Sequence, residues 1–186
     1  MNLINLILEN GGDAVIAQIA RKFGVPEQQA TQLLALVMPA LGQGIKRSLA
    51  EPDRLNHLTN AMAQGNAQKV FERPEVLHDE EAAVVEEGNS VLGQVFGSKD
   101  VSRAVASRVA EQAGTDPNLV KRLLPLAATL AMGALGKESQ KRGVINPQMP
   151  ETSEQNTLAT TFLELLDMDD DGSVLDDVFM IAKKFL

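Results

Sequence analysis

The densest run of carboxylates in this chain is Asp167-Met168-Asp169-Asp170-Asp171-Gly172-Ser173-Val174-Leu175-Asp176-Asp177. Its spacing is that of an EF-hand-type calcium loop. Asp167, Asp169 and Asp171 fall at loop positions one, three and five, and Gly172 falls at six, where the chain must turn sharply. Val174 takes the apolar position that packs inward, and the Ser173 carbonyl is a further ligand. Clustered aspartates repel one another unless a cation joins them, and calcium, a hard ion, takes six to eight oxygens. The end of the loop departs from the pattern. Position twelve, normally a bidentate Glu, is Val178, with Asp177 one residue early and Asp176 two. A shortened loop closed by Asp177 or Asp176 implies affinity on the micromolar-to-millimolar side. The competing account is an acidic helix–turn–helix in which Asp caps the second helix and no metal is held. The sequence leaves both open.

Other constellations carry less. Ile19-Ala20-x-x-x-Gly24-Val25 has the outline of a DNA-binding helix-turn-helix. The helix that would enter the groove starts with Glu27, Gln28, Gln29, Thr31 and Gln32 and brings no Lys or Arg for phosphates. Two packed core helices are the preferred account, and nucleic-acid association is the alternative function. The second half of the chain is more basic, with Lys99, Arg103, Arg108, Lys121 and Arg122. These suit a solvated face, an acidic partner, or the chain's own acidic runs. The two histidines, His57 and His78, have no Ser or paired carboxylate at a catalytic spacing. P-loop, dinucleotide-binding and zinc-cluster patterns are missing. An enzyme would need a cleft assembled only by the fold.

The elements that must position these residues are helical. The hydrophobic fraction is 44%, yet Tyr and Trp are absent and Phe numbers six, so the core is built of Leu, Val, Ile, Ala and Met. That composition favours helices, and no stretch alternates as a half-buried strand does. The lack of cysteine excludes disulfides and thiolate sites and suits a reducing, cytoplasmic setting. Met1–Leu8 is apolar but lacks the basic flank of a signal peptide. Leu123–Leu135 is shorter than the about 20 residues a membrane span takes, so a buried helix is expected and no membrane. The net charge of -8 is uneven. Residues 72–87 hold seven acids and one Arg, and residues 151–186 hold nine acids and two Lys, which leaves the rest of the chain net basic.

Two stretches read alike. Ile19-Ala20-Arg21-Lys22-Phe23-Gly24-Val25-Pro26 leads into Leu33-Leu34-Ala35-Leu36, and Val109-Ala110-Glu111-Gln112-Ala113-Gly114-Thr115-Asp116 leads into Leu123-Leu124-Pro125-Leu126. In each, Gly ends a short helix and Pro lies at the start of a long one. Asp13 and Asp100 are the expected starts of the short helices, and Val15, Ile16, Ile19, Ala20 and Phe23 form the first inner stripe. Pro39 and Pro125 predict a kink or break in both long helices. A further helix is expected from Pro52 to Gly65, and another after the acidic run, weakened by Gly88 and Gly93. The expected organisation is an all-α, orthogonal helical array over residues 1–136, with a duplicated helix–turn–helix unit at about 13–48 and 100–136. A polar linker, 137–154, with Gly143, Pro147 and Pro150, leads to a C-terminal EF-hand-like helical hairpin, 155–186.

Three motifs in order carry a resemblance. They are Gly88-Asn89-Ser90-Val91-Leu92-Gly93-Gln94-Val95-Phe96-Gly97-Ser98-Lys99-Asp100, then Leu123-Leu124-Pro125-Leu126-Ala127 running to Gly133-Ala134-Leu135-Gly136-Lys137, then the Asp-x-Asp-x-Asp-Gly-Ser tail. Together they resemble the bacterial YidB-like family, also called domain of unknown function 937. The resemblance covers roughly Gly11 to the C-terminus. It implies a small helical array with an acidic tail and supplies no catalytic residue. The resulting expectation is a non-enzymatic interaction or scaffold protein that takes calcium at its C-terminal loop and engages a protein partner or a second copy of itself.

Overall fold

The computed structural model describes residues 3–142 apart from Ala50 and Gly65. The expected linker beyond Arg142 and the C-terminal hairpin, including Asp167, Asp169, Asp171, Ser173, Asp176 and Asp177, lie outside the described residues. The described part is all-α. Its helices are α1 (Leu3–Glu9), α2 (Gly12–Phe23), α3 (Glu27–Leu49), α4 (Pro52–Gln64), α5 (Asn66–Glu72), α6 (Val76–Asp79), α7 (Glu81–Phe96), α8 (Lys99–Ala113) and α9 (Pro117–Lys141).

The fold is organised around α9, which packs against α1, α3, α4, α5, α7 and α8. Every residue from Leu123 to Gly136 is buried, so α9 has no solvent face over almost four turns. Its sequence explains how one helix accepts so many neighbours. Ala127, Ala128, Ala131 and Ala134 let other backbones approach, while Leu126, Leu130 and Leu135 fill the space between them. Each such leucine stabilises the fold by about 1.5–3 kcal/mol through removal of its side chain from water. By length and composition α9 could cross a membrane, with a mean hydropathy of 1.4 over its most apolar window. Within this fold, 83% of that window is buried.

The helix starts differ in detail from the sequence reading. Asp13 does not cap α2: Gly11, with φ 90°, occupies the cap, and Asp13 lies in the first turn where the helix dipole favours an acid. Ser98, two residues before Asp100, caps α8, its hydroxyl accepting from the Val101 N–H at 3.3 Å. Neither long helix breaks at its proline. Proline removes one N–H and so orphans the carbonyl four residues earlier, here Ala35 and Lys121. Both of those residues are exposed, so water can take the place of the lost donor. Helix α9 also continues past Gly136 to Lys141. The polar side chains there find partners: Gln140 reaches Gln68 at 3.2 Å, Lys137 lies over the Phe71 ring at 5.5 Å, and Arg142 pairs with Glu138 at 2.9 Å.

Gly88 has a structural reason that its helix propensity conceals. A Cβ at this position would run into the backbone carbonyl of Pro125, so α7 and α9 cross with their backbones nearly touching. Close by, the buried Thr129 hydroxyl lies 3.0 Å from the Val84 carbonyl and 3.2 Å from that of Pro125. It ties the two helices together, and the Thr129 hydroxyl itself is satisfied.

Candidate functional site

Two of the concavities among the described residues bring polar side chains together. The larger, of roughly 600 Å³, opens between the C-terminal half of α7, the first turns of α8 and the first turns of α9. Its floor is the edge of the core, at Leu92 and Leu124, which are only 6% and 2% exposed, and its rim carries Lys99, Arg103 and Lys121. The elements set this arrangement. Gly97, with φ 72°, ends α7 in a conformation a side chain would strain, and the chain turns there into the Ser98 cap of α8. Lys99 is thereby delivered to the first position of α8, with Arg103 one turn on. Lys121 comes from the opposite wall, one turn into α9. Arg103 pairs with Asp100 at 2.9 Å, both side chains well exposed. Among the described residues, Lys99 and Lys121 have no ion-pair partner. The first turn of α8 adds the positive end of its dipole to the same mouth.

The smaller concavity, of about 450 Å³, lies where α2, α6, α7 and α9 converge. Lys22, with a side chain only 12% exposed, pairs with Glu81 at 2.7 Å and donates to the Leu77 carbonyl at 3.2 Å. The hydrogen bond from Lys22 holds the Glu81 carboxyl below its ordinary range; burial opposes this, and the charges of Lys22, Arg122 and His78 add to it. Arg122 also lies over the Phe23 ring, 5.2 Å from its centroid, so the two long-helix units meet here. This cluster is a structural clasp: its one carboxylate is already engaged by a lysine that burial would otherwise penalise.

His78 lines this second concavity, whereas His57 lies exposed on α4. No group of three or more His, Asp or Glu side chains able to hold a metal occurs among the described residues. Of the basic residues marked in the sequence, Arg108 pairs with Glu111 at 3.2 Å, Arg122 covers Phe23, and Lys99, Arg103 and Lys121 share the larger groove. Sequence alone could not single out that trio. The signal was its position: two basic residues in the first turns of α8 and one in the first turns of α9, next to apolar residues that contribute to a floor.

The fold and its concavities define an all-helical protein wrapped around one buried central helix, with an open, basic-rimmed groove at the helix junction. Residues 5–138 match the family model described as "Bacterial protein of unknown function (DUF937)", and the chain belongs to that family. The match spans every described helix except the outermost turns of α1 and α9. No curated protein and no solved structure shows a significant similarity to this chain.

Proposed function

We propose that this chain is a non-enzymatic helical interaction module whose binding surface is the groove between α7, α8 and α9. The observation that carries the reading is the pairing of apolar Leu92 and Leu124 with exposed Lys99 and Lys121, which have no ion-pair partner among the described residues. An apolar floor under cationic walls suits an amphipathic acidic helix, which lays its leucine stripe into the groove and sets its carboxylates against the lysines. Charge at such a rim chiefly sets association rate, salt dependence and choice of partner, while Leu92 and Leu124, already largely buried, add a small apolar contact at its base. The second part of the proposal is that the C-terminal loop takes calcium through Asp167, Asp169, Asp171, the Ser173 carbonyl and either Asp176 or Asp177.

The groove is tested by fluorescence anisotropy with a dye-labelled, acidic, leucine-striped helical peptide of about twenty residues. Binding is measured on the native chain and on a chain carrying Glu164→Gln, Asp167→Asn, Asp169→Asn and Asp171→Asn, whose tail competes less. Salt-sensitive binding that falls about tenfold with Lys99→Glu plus Lys121→Glu is the expected result. Absence of binding in both backgrounds, or binding indifferent to the double reversal, removes the groove from the proposal. The metal half is tested by calorimetric calcium titration with a thermal melt. A rise in Tm at millimolar calcium, lost in Asp169→Ala plus Asp171→Ala, is expected; no heat and no shift refute it.

A further inference from the structure

We infer that the resident occupant of the α7–α8–α9 groove is the chain's own acidic C-terminal segment, residues 154–171. This rests on the groove being the binding surface proposed above, and it names what lies there before a partner arrives. Three observations carry it. The first is charge: residues 151–186 hold nine acids against Lys183 and Lys184, whereas the groove presents Lys99, Arg103 and Lys121. Asp100, the acid nearest that rim in sequence, already engages Arg103, so the two lysines retain their charge for an incoming carboxylate.

The second is pattern. Leu158, Phe162, Leu163 and Leu166 recur at helical pitch, with Glu154, Glu164 and Asp167 among or beside them. That is the apolar stripe with acidic flanks that Leu92, Leu124 and the two lysines call for. The third is reach. From Arg142 back to Lys121 along α9 is about 32 Å at 1.5 Å per residue. The residues numbered 143–153 span up to about 36 Å when extended. Other helices cover α9 over that distance, so the chain must pass outside them; the fifteen residues 143–157 that precede Leu158 span up to about 50 Å when extended, enough to go round and meet the groove. Being tethered, it competes at an effective concentration on the millimolar scale, enough to hold a weak site against free partners.

The test uses the full chain, whose lack of cysteine allows clean labelling. Ser90→Cys, on the exposed side of α7 beside the groove, and Thr161→Cys, in the segment, carry a donor and acceptor dye. High energy transfer at low salt is expected, lost at high salt and in Lys99→Glu plus Lys121→Glu. It should be restored when that double reversal is combined with Glu164→Lys plus Asp167→Lys. All four substitutions are at charged positions, and far-UV circular dichroism with a thermal melt on each chain confirms that it is folded. Transfer that is the same in the native and rim-reversed chains at either salt overturns the inference. The acidic probe peptide separates the two proposals. Binding about tenfold tighter to the tail-neutralised chain than to the native chain marks the tail as the competitor. Equal, rim-dependent binding to both keeps the groove as a binding surface and removes the tail as its occupant.

Discussion

The elbow between α2 and α3 and the elbow between α8 and α9 have nearly the same backbone. Gly24 has φ 65° and ψ 34°, and Gly114 has φ 62° and ψ 39°. After each, the next residue returns to the carbonyl five positions back, Val25 to Ala20 at 3.0 Å and Thr115 to Ala110 at 2.9 Å. The helices that leave these elbows meet different fates. Helix α3 keeps a wet side, with Gln32, Ala35 and Pro39 exposed along it, whereas α9 is enclosed from Leu123 to Gly136. A turn is set by a handful of backbone hydrogen bonds, but burial depends on everything packed around the helix. Two matching turns therefore need not lead to matching helices.

Substitution can break that contrast where it is greatest. Ala128→Glu places a carboxylate at a fully buried position of α9 and should cost more than about 4 kcal/mol, seen as loss of the cooperative unfolding transition. The same change at exposed Ala35 of α3 should stay within about 0.5 kcal/mol. Equal tolerance at the two sites would show that α9 is not the enclosed helix.

The elbows themselves should respond alike. A Cβ at Gly24 or at Gly114 would meet nothing within 4 Å, so the cost of alanine there is that of the left-handed backbone alone. Gly24→Ala and Gly114→Ala should each lower stability by about 1–2 kcal/mol. Unfolding free energies from urea titration that differ between them by more than about 0.5 kcal/mol would mean that one elbow bears a load the other does not.

The smallest effect should come from the clasp that joins the two units. Because Lys22 holds the Glu81 carboxyl below its ordinary 4.5, its contribution is present above that pH and is lost as pH falls through the lowered value. The Glu81 side chain is 49% exposed, and solvent screening limits the effect to about 0.5 kcal/mol. Thermal melts should therefore show native stability declining below pH 4.5 more steeply than in Lys22→Met. Parallel pH profiles would show that the pair adds nothing to folding.

Some of the site could be read from residue order, and some could not. The proposed calcium loop at Asp167–Asp177, outside the described residues, is a reading of residue order alone, since ligands that one loop supplies are close in sequence. The groove gives no such notice, since Leu92, Lys99 and Lys121 come from three helices and become neighbours only when α7, α8 and α9 pack. Lys22 and Glu81 illustrate the same limit: each reads as an ordinary surface charge until α2 and α7 bring them within 2.7 Å.

The sequence by itself determined the helical class, the two Gly-capped elbows and the apolar character of α9, because each depends on local periodicity or on one residue's backbone freedom. It did not determine that both prolines could be carried without a break, which follows from the exposure of Ala35 and Lys121. Nor could it assign Gly88. In isolation that residue weakens a helix, and only the crossing of α7 over α9, with the Pro125 carbonyl where a side chain would stand, makes it the residue that fits. Propensity acts within a few residues along the chain, whereas the closeness of two backbones is decided between elements.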